Sequence, residues 1–354
     1  MPTPLPVHPA PIRSQAAAQI SGGESWTTKF TRFSRAQKAI AQSTDKGALR
    51  KVLQQVAGGD GRVAAAPTAP LLLSAAGLLV GGFALAALGT GVVAIAAWVG
   101  AAVTVLAAFV VRRQRQSFLR NFAAHCGQLD YGLKTVKVKG QQLWRDWKKD
   151  FRDLQRGDDG QTIDRVVRGQ WRHDGDAGAG HEITCFRFVY QTTEESTSTD
   201  SDDHSTTTTT TTKHHRYGVI ARTPQPLQIG CSEQRRPGLS AKWTTASIEF
   251  NRRFKLAASS EQVAAHFFKP SAVQALWAFA GSFEAVDIHA VDDRLYIGFD
   301  NDDLLQVNQG RDPGDSLQAL EALLDKRCAM HQFNALLHLL RQTACKPGSP
   351  KEAT

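Results

Sequence analysis

From Val63 to Val111 the chain carries no charged side chain, and Leu71–Val111 alone makes 41 such residues in a row. A hydrocarbon core about 30 Å thick is crossed by about 20 helical residues, so the run is long enough for two passes. Gly89-Thr90-Gly91 lies near its middle, where glycine allows the dihedrals of a tight reversal. The pattern predicts a transmembrane helical hairpin over 67–111, with spans Leu71–Leu88 and Val92–Val111. Small residues (Ala75, Gly77, Gly81, Ala97, Gly100 and Ala101 among them) suit close helix–helix approach in lipid. Pro67 and Pro70 suit a helix start. A buried hairpin in a water-soluble core would need both helices apolar on every face for about eleven turns. A secretory signal sequence is not expected some 70 residues into a chain.

The 354 residues include 42 Lys/Arg and 33 Asp/Glu, a formal charge of +9. Its distribution is more informative than its sum. Residues 1–70 hold nine basic and three acidic side chains, residues 112–150 hold ten and three, and the remainder sums to −4. Positive charge therefore flanks the apolar run on both sides. Under the positive-inside rule both flanks, and so both termini, face the cytoplasm. Each nearby Lys or Arg gains about 1 kcal/mol from anionic headgroups. A nucleic-acid binder would carry its excess charge on the folded domain, so nucleic acid is not an expected partner. Five scattered cysteines without a CxxC pair (Cys126, Cys185, Cys231, Cys328, Cys345) form neither a disulfide framework nor a zinc knuckle, and read as small buried hydrophobes.

Outside the apolar run, residues 1–25 are Pro-rich and read as disordered. Residues 26–66 form a basic cytoplasmic helical segment, with Ala36, Ile40, Leu49, Val52, Leu53 and Val56 at helical spacing up to about residue 57, then a Gly/Ala/Pro linker. Residues 112–160 read as juxtamembrane helices. The first continues the second span to about Gln128, and Trp144, Trp147, Phe151 and Leu154 make one apolar helical face. Residues 161–345 read as a cytoplasmic α+β domain with a mixed or antiparallel sheet and flanking helices. Expected strands are Asp164–Trp171, His181–Tyr190, Arg216–Ala221 and Pro226–Gly230, with a hairpin of Ala285–His289 and Arg294–Phe299 around Asp292-Asp293. A helical turn at Phe250–Phe254 feeds a strand. Further helices are expected at Ser260–Phe268, at Pro270–Phe279 and, as one segment, at Ser316–Arg341. Residues 192–213, with seven consecutive threonines, read as a solvated polar loop.

The chemistry-bearing motifs are weak. There is no Gly-rich phosphate loop, GxSxG elbow or HExxH. His204, His214 and His215 with Asp200, Asp202 and Asp203 have ligand chemistry but fall in the expected loop, where ordering would oppose binding. Asp300, Asn301, Asp302 and Asp303 resemble part of a calcium loop, but Arg311 stands where the twelfth-position Glu is needed; a turn after a strand is expected. Glu249, Arg252 and Arg253 read as surface charges. No catalytic, cofactor-binding or metal-ligating residue is assigned.

Some landmarks share a recognisable order. They run from the apolar hairpin through Trp144, Trp147 and Phe151, Val166-Val-Arg-Gly169 and Phe186-Arg-Phe-Val-Tyr190, to Tyr217-Gly-Val-Ile-Ala221 and Pro224-Gln-Pro226-Leu. Ile248-Glu-Phe-Asn-Arg-Arg-Phe254, Ala265-His-Phe-Phe-Lys-Pro270 and Leu295-Tyr-Ile-Gly298 follow. In this order the chain resembles the bacterial membrane-protein family DUF3137, a domain of unknown function, over roughly its C-terminal two thirds. The resemblance implies an integral protein of the bacterial inner membrane with a cytoplasmic α+β domain, and it supplies no residue roles. The expected function is a membrane-anchored interaction or scaffold module, held against anionic lipid and recruiting a cytoplasmic protein partner. A membrane-bound enzyme with an unrecognised site is the alternative, and a membrane-inserting effector a remote third.

Overall fold

The structure is a computed structural model that describes residues 26–56, 68–87, 91–171, 180–199, 205–234, 237–301, 304–307 and 317–343. The expected disorder of 1–25 and the Gly89–Gly91 turn, but for Gly91, lie outside these. The packing divides the chain into two units: residues 1–123 with 311–326, and residues 124–310 with 327–354.

The first unit is helical among its described residues. Helices α1 (Trp26–Gln42) and α2 (Lys46–Val56) match the expected basic helix pair. They separate at Ser43–Asp45, where the Asp45 carboxylate accepts from the Ala48 N–H at 2.8 Å and caps α2. Ala36, Ile40, Leu49, Val52, Leu53 and Val56 are buried, as their spacing predicts. Helix α3 spans Thr68–Ala87 and α4 spans Gly91–Asp130. Helix α4 is 40 residues long, about 60 Å of continuous helix, and passes Val111 without a break.

The expected pair of membrane spans needs correction. Among the described residues one helix, Ile95–Asp130, is long and apolar enough to cross a membrane, whereas the apolar stretch of α3 is the shorter Ala75–Ala84. The two helices do touch, with the rings of Phe83 and Trp98 5.4 Å apart.

Among the described residues of the second unit seven antiparallel strands form one sheet: β1 (Lys134–Thr135), β2 (Asp159–Trp171), β3 (His181–Thr199), β4 (Ser205–Ser232), β5 (Ala241–Trp243), β6 (Lys255–Ala258) and β7 (Asp287–Phe299). The order is β1-β2-β3-β4-β6-β5, with β7 also on β4. Strand β4 organises the sheet. Val219 pairs with Cys185 of β3 and with Ile297 of β7, while Ile229 pairs with Ala258 of β6 and with Ala290 of β7.

Several expected breaks are absent and two expected helices are interrupted. Arg216–Ala221 and Pro226–Gly230 are parts of the single strand β4, joined by a bulge between Arg222 and Leu227. The opposing Asp292-Asp293 pair is likewise no hairpin turn. Asp292 adopts φ 54° within a continuous β7, where its short polar side chain tolerates the left-handed region. The expected loop over 192–213 is also a strand ribbon: Thr192–Thr199 pairs residue for residue with Ser205–Thr212. Low complexity suggests a loop, but threonine is β-branched and favours the extended backbone. The aromatic run after residue 140 is not one helix. Helix α5 ends at Trp147, and a short 3-10 turn, Arg152–Gln155, carries Leu154. Strand β1 lies ahead of α5, in a region expected to be helical. Helices α6 (Ile248–Arg253), α7 (Glu261–Phe267) and α8 (Pro270–Ala280) fall where expected, with Ser247 and Ser260 capping α6 and α7. The C-terminal helical segment is two helices, α9 (Leu317–Asp325) and α10 (His331–Thr343), of which α9 belongs to the first unit.

The sheet buries both faces. Val167, Cys185, Val219 and Ile297 stand across neighbouring strands on one face, in a core with Phe250, Phe267, Leu276, Phe279 and Leu336 from α6, α7, α8 and α10. The opposite face presents Val166, Phe186, Phe188, Ile220 and Tyr296 to Phe151 and Leu154, with Trp144 and Trp147 at the margin. The aromatic residues therefore do share one cluster, although no single helix carries them.

Candidate functional site

On that second face a charged group is sealed inside the aromatic cluster. Arg216 of β4 is fully buried, Tyr296 of β7 likewise, and Asp153 of the 3-10 turn nearly so. Residues alternate across a strand, so Arg216, opposite Phe188 of β3, points to the same side as the aromatic rings. The Asp153 carboxylate accepts three hydrogen bonds. One oxygen accepts from Arg156 Nε at 2.6 Å, and the other accepts from the Tyr296 hydroxyl at 2.6 Å and from Arg216 Nε. Arg216 also donates from its terminal nitrogens to Asp300 at 2.6 Å and to the Ala285 carbonyl at 2.9 Å. Ala285 has φ 54°, a position unfavourable for a side chain with a Cβ, and the guanidinium holds its carbonyl there.

Burial pushes the Asp153 carboxyl up, but the charges of Arg216 and Arg156 and the Tyr296 hydrogen bond together outweigh it and hold the group below its ordinary range. Burial, followed by the Asp153 charge, drives the Tyr296 phenol well above its ordinary value. The result is a fixed ionised carboxylate, a fixed guanidinium and a neutral phenol. The adjoining cleft, lined by Arg152, Asp153, Ser232, Asp287 and His289, has about 20 Å³ of space, room for one water. Asp287 and His289 lie 2.8 Å apart there and form an ion pair only when the imidazole is protonated. Chemically the arrangement is a clasp that ties the 3-10 turn, β4, β7 and the turn at Ala285 together.

Two glycines make room for it. A Cβ on Gly298 would overlap the Asp153 carboxylate and stand 2.5 Å from the Tyr296 oxygen, and one on Gly218 would stand 2.5 Å from the Phe186 ring. Gly298→Ala is expected to destabilise the unit by about 1–3 kcal/mol, the usual range for overpacking. Urea unfolding followed by tryptophan fluorescence measures it.

The residues singled out in the sequence are dispersed. His214 stacks on Tyr190 at 5.0 Å and its Nε2 lies 2.7 Å from the Thr192 hydroxyl, while Asp200, Asp202, Asp203 and His204 lie outside the described residues. No group of three His, Cys, Asp or Glu side chains gathers among the described residues. Asp300 follows β7 and accepts from Arg216, and Asn301 donates to the Ser282 carbonyl at 3.0 Å, so these two residues bend away directly after the strand. Asp302 and Asp303 are not described. Glu249 and Arg252 are exposed. Arg253 is not a simple surface charge: it donates to Glu233 at 2.9 Å and to the Ala280 carbonyl at 2.6 Å, closing the C-terminus of α8. Cys126, Cys185, Cys231 and Cys328 are buried free thiols, and Cys345 lies outside the described residues. Burial pushes Cys185 up to about 12 against the opposing charge of Arg165, which leaves it unreactive.

Asp153, Arg156, Arg216 and Tyr296 had no sequence motif to mark them. The one available signal is Arg216 itself, a charge directly before the apolar run Tyr217–Ala221 of a central strand. A search against family models, curated proteins and solved structures finds no match to this chain.

Proposed function

We propose that the protein is a membrane-anchored interaction module of the bacterial inner membrane, whose α+β unit engages a cytoplasmic protein. The observation that carries this reading is the surface of α4. Over its apolar window only 12% of the residues are buried. Val92, Ile95, Val99, Val103, Leu106 and Phe109 are all exposed and line one broad face of the helix. Water does not tolerate an apolar surface of this extent, and a lipid bilayer covers it. The hydroxyl of Thr104 donates back to the Gly100 carbonyl at 2.7 Å, so that polar group needs no solvent. Helix α3 touches α4 through Phe83 and Trp98. The basic segments on both flanks of the apolar run attract anionic headgroups. The resemblance to the DUF3137 family agrees with this placement.

Fractionation tests the proposal. After expression in bacteria, the full chain is expected in the membrane pellet and to stay there after alkaline carbonate washing. Release of intact chain into the supernatant refutes an integral anchor.

A further inference from the structure

Beyond Gln191 the β3–β4 ribbon leaves the sheet. Strand β2 last pairs with β3 at Gln191, and β7 last pairs with β4 at Tyr217. Among the described residues, the arm Thr192–Thr199 with Ser205–Thr212 therefore pairs only with itself. Its base is pinned by Asp158, whose carboxylate accepts from the Thr193 N–H at 2.9 Å. Exposed sheet edges are ordinarily guarded by charge, proline or bulges. The β3 edge is guarded, since Glu194 and Glu195 are adjacent and point to opposite faces of the ribbon. The β4 edge is not. Ser205 to Thr212 has no charge, no proline, no glycine and no break in register, and Thr207 to Thr212 are exposed.

We propose that this β4 edge is a self-association site, where two copies of the chain join their arms by antiparallel pairing about a twofold axis. The charge pattern selects this occupant and this geometry. Stacking two arms face to face would set Glu194 or Glu195 against the same residues of the second copy. Pairing through the β3 edges would bring those glutamates within about 5 Å of their neighbours, a destabilising like-charge contact. Pairing through the β4 edges gives the order β3-β4-β4-β3. The glutamates of the two copies then stand about three strand spacings apart, roughly 14 Å, beyond the screening length of about 8 Å at physiological salt. Threonine pairs directly across the new ladder are favourable. The edge is self-complementary and neutral, so it offers a charged partner strand no selective attraction. A ladder this short belongs to the small, transient class of interface. The inference is independent of the membrane reading, because it rests only on the arm.

Cross-linking of the full chain in detergent tests it, with Cys345→Ser as background. Single variants Thr208→Cys, Thr209→Cys and Thr210→Cys bracket the axis, and Ser196→Cys reports the guarded edge. With a short bismaleimide, at least one β4 position is expected to yield covalent dimer well above Ser196→Cys. Adding Thr207→Lys and Thr211→Lys to that variant is expected to abolish the product with unchanged thermal unfolding. Glu194→Thr with Glu195→Thr is expected to raise the yield at Ser196→Cys. Yields at all three β4 positions no higher than at Ser196→Cys overturn the proposal. So does a dimer that persists with both lysines in place, which would assign association to the helices.

Discussion

Asp153→Ala is expected to lower the unfolding free energy of the α+β unit by up to about 3–5 kcal/mol, because it removes the buried carboxylate from the Arg216 guanidinium and leaves only the half-exposed Asp300 and the Ala285 carbonyl as partners. The size of the loss comes from the charge left behind. Removing both members, as Asp153→Leu with Arg216→Met, is therefore expected to recover much of it, since well-packed apolar replacements of buried ion pairs are often neutral. Urea denaturation of the single and double variants measures both. The clasp also sets an acid limit. The Asp153 pKa is depressed by folding, so its contribution is complete above the ordinary carboxylate pKa and is lost as pH falls through the lower folded value. In Asp153→Ala this part of the acid-induced loss disappears, and stability falls less steeply over that interval.

The second large effect concerns the anchor. Val103→Arg places a charge on an exposed position of α4 within its apolar stretch. Charged residues at the centre of a membrane helix raise the insertion free energy by about 2.5–3.5 kcal/mol, which is about 60- to 300-fold in the inserted ratio at 1.4 kcal/mol per tenfold. A glycosylation-site insertion assay on residues 63–130 is expected to show that loss. Gln116→Arg, in the basic stretch after Val111, is expected to insert like the parent. Equal insertion of all three contradicts a bilayer location for this part of α4.

The sequence was readable where one physical signal dominated. The charge-free run, the helical spacing of Leu49, Val52, Leu53 and Val56, and the helices expected at Phe250–Phe254, Ser260–Phe268 and Pro270–Phe279 are all local signals, and the structure places helices at each. Failures arose where tertiary pairing overrode local punctuation. Asp292-Asp293 and Pro224-Gln-Pro226 both look like chain reversals. Opposed across β4 and β7 they form a shared irregularity that the ladder spans on either side. The threonine tract reads as a loop by composition, but its β-branched residues favour the extended backbone and need only one pairing partner to form a ribbon. The clasp was the least accessible feature. Asp153, Arg216, Tyr296 and Asp300 are spread over 148 positions, and only the sheet register and the fold of the 3-10 turn bring them together.

The central claim is that lipid covers α4, and a nitroxide scan from Val92 to Val110 in vesicles containing anionic lipid tests it most directly. The account predicts that labels at exposed sites such as Ile95, Val99, Val103 and Leu106 collide readily with oxygen and hardly at all with a water-soluble nickel complex, with the contrast greatest mid-helix. Ready collision with the nickel complex at these sites, or protection from both reagents, would place the helix in water or inside protein and contradict the account.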